Sequence, residues 1–149
     1  MQIEGTLKKK TGFREPKEVH RISFEIYGNP KPKKNNMRPA YNKQGRMILI
    51  QSQSYLDYEN EVIPQLEKIK KAKKIKTIDQ PVNLKCVYYR GDRRRCDLLN
   101  LLNATADILV KAKILEDDNY KIVVSVDGSR VYYDKENPRA EIEITLKED

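Results

Sequence analysis

The feature that most constrains the fold of this chain is residues 90–119, RGDRRRCDLLNLLNATADILVKAKILEDDN. In a helix that follows Asp97, with one residue about every 100°, apolar side chains cover most of the circumference. A helix of this kind is mostly buried in a folded protein. The rest of the chain therefore has to supply a surface that covers this helix on nearly every side.

One side of the same helix is polar. Its polar positions fall within about a third of a turn of Asp97, and they are Asn100, Asn103, Asp107 and Lys111. Buried amides and carboxylates need hydrogen-bond partners. Two interpretations stay open at this point: an exposed or internally hydrogen-bonded face, and a functional site.

Charged residues stand at both ends of the segment. Arg90, Arg93, Arg94 and Arg95 precede the helix, and Glu116, Asp117 and Asp118 follow it. Cationic side chains can hold a phosphate backbone, and carboxylates at both ends of a helix can meet around a divalent metal ion. This combination indicates a metal-dependent nuclease. Taken alone, Asp117 and Asp118 have an ordinary interpretation as a turn that follows a helix.

The composition favours a polyanionic partner. The chain has 149 residues, a formal net charge of +8 and a pI near 9.4, and a basic surface suits nucleic acid. No apolar run approaches the roughly 20 residues of a membrane span, and no signal-peptide core is evident. We therefore expect a cytoplasmic protein. Cys86, Cys96 and the single His20 do not form a zinc-binding pattern.

The remaining pattern predicts an α+β fold, a mixed sheet of about four to five strands with two principal helices. Strands are predicted at residues 19–27, 47–50, 81–88, 121–126 and 140–146. A second helix is predicted at residues 55–71, begun by Ser54 and kinked or restarted at Pro64. At residues 127–129 a reversing turn and a bulge that lets the chain run on are both compatible with the sequence. Residues 1–18 are predicted to be a basic N-terminal arm, and residues 19–149 a single domain.

Residues 31–46 are predicted to be a loop rich in cations and amides. Such a loop suits a phosphate backbone, and Tyr41 within it has an aromatic face on which a base can stack. A solvated loop without a ligand is the alternative interpretation.

The sequence resembles the RusA family of Holliday junction resolvases, small endonucleases of bacteria and their phages. The resemblance rests on D-R-R-R-x-D-L-x-N at residues 92–100, on Asp107, and on L-x-D-D at residues 115–118. The segment P-x-P-K-K-N-N at residues 30–36 resembles a further family segment. The spacing from Asp97 to Asp118 agrees with the family without a gap.

The resemblance implies roles for named residues. It makes Asp97 and Asp118 ligands of Mg²⁺ or Mn²⁺, with Asp117 beside them. The implied catalytic set is Asp97, Asp107, Asp117 and Asp118. The implied DNA contacts are Arg93, Arg94, Arg95, Lys33, Lys34, Asn100, Asn103 and Lys111.

Two positions depart from the family pattern. Leu99 stands where the family has a second aspartate, and Asn103 stands where it has a lysine. Asp92, Asp107 or a water is the candidate replacement for the missing carboxylate. Asp107 has a second candidate role, in which it orients a ligand or Asn100.

The expected function is metal-dependent cleavage of four-way DNA junctions in recombination and repair, carried out by a homodimer, since the family is dimeric. Two alternatives stay open. One is a protein of the same fold that binds branched DNA without cutting it. The other is a basic RNA-binding module.

Overall fold

The computed structural model describes residues 20–33 and 38–147, which form an α+β fold. Its elements are β1 (Arg21–Tyr27), β2 (Arg38–Tyr41), β3 (Met47–Ile50), α1 (Gln53–Ala72), β4 (Val82–Arg90), α2 (Leu98–Lys111), β5 (Val123–Ser125), β6 (Arg130–Tyr133) and β7 (Arg139–Leu146). The predicted fold class, a mixed sheet with two helices, is confirmed. The arm predicted for residues 1–18 lies outside the described residues.

The main sheet has five strands and is built around the antiparallel pair β4 and β7. On the other side of β7 lies β1, also antiparallel. The far side of β4 is shared by β5 and β6, which both run parallel to it. The sheet is therefore mixed, and the chain crosses through α2 to reach the parallel neighbours of β4.

Both helices contribute to one apolar core with the sheet. Alternate residues of the strands are buried in it: Phe24, Ile26, Leu84, Cys86, Tyr88, Ala140, Ile142 and Ile144. Helix α1 adds Tyr55, Tyr58, Val62 and Leu66, and α2 adds Leu101, Ile108 and Leu109 among others. The strand period of two and the broad apolar surface of α2 thus meet in the same core. No helix of the described residues has the length and apolar content needed to cross a membrane.

Helix α1 differs from its prediction at its start and at its proline. Its N-cap is Ser52, whose hydroxyl accepts a hydrogen bond from the Tyr55 backbone N–H at 3.2 Å, so the prediction of Ser54 was wrong. The helix runs through Pro64 without a restart. Proline removes one backbone hydrogen bond, and buried side chains on both sides of Pro64, including Val62 and Leu66, hold the helix to the core.

The segment predicted as a loop at residues 31–46 contains a strand. Within it, β2 pairs antiparallel with β3 and forms a separate two-stranded sheet. The Asn42 side chain closes the turn by accepting hydrogen bonds from the backbone N–H groups of Gln44 and Arg46. Gly45, with φ of +76°, takes a conformation that favours glycine.

The ambiguity at residues 127–129 is resolved in favour of a chain that runs on. Side chains replace the backbone ladder between β5 and β6. The Asn83 side chain accepts a hydrogen bond from the Asp127 N–H at 2.8 Å and donates one to the Asp127 carbonyl at 3.1 Å. The Ser129 hydroxyl accepts a hydrogen bond from the Cys86 N–H. These bonds keep both short strands on the same side of β4.

We predict that Asn83→Ala lowers the free energy of unfolding by about 1–3 kcal/mol, because the Asp127 N–H then loses its acceptor. Urea unfolding measures the change. Asn60→Ala, at an exposed position of α1, is the matched control and should change stability by about 0.5 kcal/mol or less. Equal changes in the two variants would contradict a bracing role for Asn83.

Candidate active site

The loop between β4 and α2 is organised by the buried side chain of Arg90. Its guanidinium donates to the Arg94 carbonyl at 2.6 Å and to the Pro30 carbonyl at 3.4 Å. It also lies 3.6 Å from the Asp92 carboxylate. Of the four clustered arginines, Arg90 is thus the one that holds the loop to the segment after β1.

Asp92 serves the same loop. It accepts hydrogen bonds from the Arg94 backbone N–H at 2.9 Å and from the Asn29 side chain at 2.8 Å. Burial alone raises the pKa of Asp92, but these hydrogen bonds and the charge of Arg90 outweigh it and lower the pKa. Because both oxygens are engaged in the loop, Asp92 is poorly suited to replace a missing metal ligand.

The next three arginines point to solvent. Arg93, Arg94 and Arg95 are all exposed, as the predicted contact with phosphate requires. The Arg93 guanidinium lies over the ring of Tyr133, 3.9 Å from its centroid. Sequence reasoning missed Tyr133, since only the parallel pairing of β6 with β4 brings it beside this loop.

Asp97 is the N-cap residue of α2, but its side chain makes no capping hydrogen bond. An aspartate at this position usually accepts a hydrogen bond from a backbone N–H of the first turn. Here the carboxylate, which is exposed, accepts a hydrogen bond from the side chain of Asn100 at 3.3 Å. Asn100 is buried. Its side chain contacts Asp97 and is not exposed to bound DNA. The Asp97 oxygens remain accessible to a ligand.

The two departures from the family pattern also lie at the surface. Leu99, in the first turn of α2, has 71% of its surface exposed. Asn103 is exposed as well. Neither position supplies a charge to this end of the helix.

A second polar group surrounds Asp107. The ammonium groups of Lys33 and Lys111 each lie 3.3 Å from one carboxylate oxygen of Asp107, and neither ion pair has hydrogen-bond geometry. Lys111 also donates a hydrogen bond to Glu59 at 2.9 Å. Burial lowers the pKa of Lys111, but Glu59 and Asp107 outweigh it and raise the pKa. Burial, followed by the charges of Glu59 and Asp107, raises the pKa of Tyr55.

Glu59 is a further residue that sequence reasoning missed. It lies four residues after Tyr55 and three before Val62, both of which are buried. Its helical position therefore places it on the inward side of α1. A carboxylate on the side of α1 that faces the core could have identified Glu59 from the sequence as a residue that needs a partner.

The third polar group follows α2. Asp117 accepts hydrogen bonds from the Asp118 backbone N–H at 2.7 Å and from the Asn119 side chain at 3.0 Å, and these bonds lower its pKa. Burial first, and then the negative charges of Asp117 and Asp107, raise the pKa of Asp118.

The described residues contain no group of three or more His, Cys, Asp or Glu side chains placed to hold a metal ion. The predicted ligand set of Asp97, Asp117 and Asp118 therefore stays a prediction. Its chemistry suits a divalent cation: Asp97 has no capping bond, and the pKa of Asp118 is raised by burial first and then by neighbouring carboxylates, so a cation beside it would stabilise its charged form. Mg²⁺ commonly takes only one or two carboxylates and completes its shell with waters and substrate phosphates.

The predicted DNA contacts are not gathered in one place. Arginines 93–95 lie in the loop before α2, while Lys33 and Lys111 pair with Asp107 farther along the helix. Lys34 lies outside the described residues.

Comparison with known proteins agrees with the resemblance read from the motifs. The family model for endodeoxyribonuclease RusA matches residues 28–145, which is most of the chain. A search of curated proteins gives no significant match. The matched region contains the arginine loop, α2 and the acidic turn after it. This chain is a member of the RusA family of endodeoxyribonucleases.

Proposed function

We propose that this protein is a metal-dependent endonuclease that cleaves four-way DNA junctions. The observation that carries the proposal is the Asp97 carboxylate, which is free of any capping bond beside an exposed arginine loop. Membership of an endodeoxyribonuclease family supports the reaction class.

In the proposed mechanism the arginine loop binds the DNA strand that is cut. Arg93, Arg94 and Arg95 contact phosphates on either side of the scissile bond, and each contact adds a salt-dependent contribution to binding. Asp97 and Asp118 would hold Mg²⁺ or Mn²⁺ in this mechanism, with Asp117 beside them. Such an ion, when bound, lowers the pKa of a coordinated water and neutralises negative charge that develops on the phosphate oxygens.

Neighbouring side chains have positioning roles in this mechanism. Asn100 orients the Asp97 carboxylate through the hydrogen bond between them. Lys111 keeps its positive charge because its pKa is raised, and Lys33 adds a second cation beside Asp107. These two ammonium groups balance the carboxylates of Asp107 and Glu59, so they hold the polar side of α2 together without replacing the positive charge that Asn103 lacks.

The assembly and biological setting are also proposed from the family. A homodimer would place two sites on one junction, and paired cuts would resolve it during recombination and repair. The expected location is the cytoplasm.

One observation favours a second candidate function, a branched-DNA-binding protein that does not cut. Leu99 is 71% exposed at the position where the family has a second carboxylate. An uncharged side chain there leaves the metal with one fewer candidate ligand. This protein would bind junctions tightly and in a salt-sensitive way, without nicking them.

We expect Asp97→Asn to abolish Mg²⁺-dependent cleavage while junction affinity stays the same or rises slightly. The substitution removes a metal ligand and also a negative charge that faces phosphate. Gel assays with a labelled junction, with and without Mg²⁺, measure both properties. Asp57→Asn, at an exposed position of α1, is the control. Equal cleavage by Asp97→Asn and the wild type would place the site elsewhere.

Restoring the family residues separates the two candidate functions. If the wild type is an enzyme, Leu99→Asp should increase its affinity for Mg²⁺ or Mn²⁺, because it adds a carboxylate beside Asp97. Metal titration of cleavage measures this. If the wild type fails to cut at any metal concentration and Leu99→Asp combined with Asn103→Lys does cut, the native protein is a binder.

Changing Arg93, Arg94 and Arg95 together to Ala should weaken junction binding and reduce its salt dependence. Each lost phosphate contact lowers the slope of log affinity against log salt by about one unit. Fluorescence anisotropy at several salt concentrations gives the slope. The control removes three exposed lysines near the end of α1, at Lys68, Lys71 and Lys76. An unchanged slope in the arginine variant would show that these side chains do not contact DNA.

A further inference from the structure

The β2–β3 hairpin presents a sheet face that is apolar and exposed. Its register pairs Pro39 with Leu49 and Tyr41 with Met47, so these four side chains share one face. The exposed fractions are 74% for Tyr41, 62% for Met47 and 59% for Leu49, and Pro39 is exposed too. We call these four residues the hairpin face.

The hairpin is ordered by local bonds and stands apart from the main sheet. Asn42 closes its turn, and the Arg38 guanidinium donates to the Gln53 side chain at 3.3 Å. A two-stranded hairpin is only marginally stable in water. An exposed apolar face on such an element marks a binding surface more often than a solvated one.

The positive charge around the hairpin favours a negatively charged partner. Residues 30–50 contain six basic residues and no acidic residue: Lys31, Lys33, Lys34, Arg38, Lys43 and Arg46. Like charges oppose the approach of the same hairpin from a second copy, whereas a polyanion is attracted. A nucleic acid offers both the phosphates that suit these cations and, where bases are unpaired or unstacked, an apolar surface that suits the hairpin face.

The length of the connecting chain limits how far the hairpin can lie from Asp107. Lys33, five residues before Arg38, lies 3.3 Å from Asp107. Five residues reach at most about 18 Å, so β2 starts within that distance of Lys33. At its other end, β3 leads into α1, which carries Glu59 and its bond to Lys111.

We propose that the hairpin face binds DNA bases exposed at the branch point of the substrate. Tyr41 stacks on an exposed base, while Met47 and Leu49 fill the space beside it, as apolar side chains do when they insert between base steps. Arg38, Lys43 and Arg46 contact the neighbouring phosphates. This inference rests on the proposed function and deepens it, because it supplies the recognition of branched over linear DNA.

The test compares Tyr41→Ala combined with Leu49→Ser against the wild type, both as full chains and without divalent metal. Affinity is measured for an immobile four-way junction and for a linear duplex whose ends are closed by loops. Junction affinity should fall by about 5- to 150-fold, the usual range for loss of one base–aromatic stack. Affinity for the closed duplex should not change. The wild type, but not the variant, should alter the fluorescence of 2-aminopurine placed at the branch point.

Three further variants make the comparison specific. Tyr41→Phe keeps the aromatic ring and should keep wild-type affinity. Met47→Ser, a single change, should weaken junction binding alone even if the double variant unfolds. Val124→Thr, on an exposed apolar position of β5, is the control and should have no effect. Circular dichroism verifies that each variant is folded.

Several results would overturn the inference. Unchanged junction affinity in folded Met47→Ser and in the double variant would do so, as would an equal loss on both DNA substrates. Sedimentation that shows a wild-type dimer and a variant monomer would assign the hairpin face to a second copy of the chain. Failure of the proposed function would give a different result. If the wild type does not cleave DNA at any metal concentration but the hairpin variants still weaken junction binding, the nuclease activity is excluded and the role of the hairpin face in binding is retained.

Discussion

The buried guanidinium of Arg90 is the interaction on which the candidate site depends. Removing a guanidinium from water is costly unless its donors are satisfied, and here the carbonyls of Pro30 and Arg94 accept from it, beside the Asp92 carboxylate. These bonds join the end of β4, the segment after β1 and the loop before α2. These contacts favour the observed conformation of the loop, in which the neighbouring arginines are exposed and Asp97 is the N-cap of α2.

Much of the main sheet and core could be predicted from the sequence. Apolar residues alternate in β1, β4 and β7, and they cover most of the circumference of α2. These local patterns predicted the buried faces that the structure shows. Of the hairpin, β3 was predicted but β2 and the pairing were not, because Pro39 and Asn42 suggest irregular structure and the apolar face of the hairpin is not buried. The course of the chain at residues 127–129 was also undetermined, since it depends on Asn83, which is distant in sequence.

The candidate site was predictable in part, and the reason lies in distance along the chain. The polar side of α2 follows from helical geometry alone. Its division into separate groups does not, because Lys33 and Glu59 reach this side from other elements. Residues that looked equivalent on a helical projection therefore have different surroundings: Asn100 is bonded to Asp97, whereas Asp107 is held between two cations.

The face of the main sheet opposite the core is covered by side chains that lie flat. The Arg139 guanidinium lies 3.8 Å from the ring centroid of Tyr89, and Tyr89 stacks on Tyr132 with centroids 5.3 Å apart. Asp134 and Glu141 hold Arg139 in place. At this end of the β4–β7 pair, the backbone hydrogen bonds are therefore covered on the outer face by Tyr89 and Arg139 as well as by the core on the inner face. We expect this pair of strands to open late in local unfolding, and the amide groups of the hairpin and of the sheet edges to exchange with water earlier.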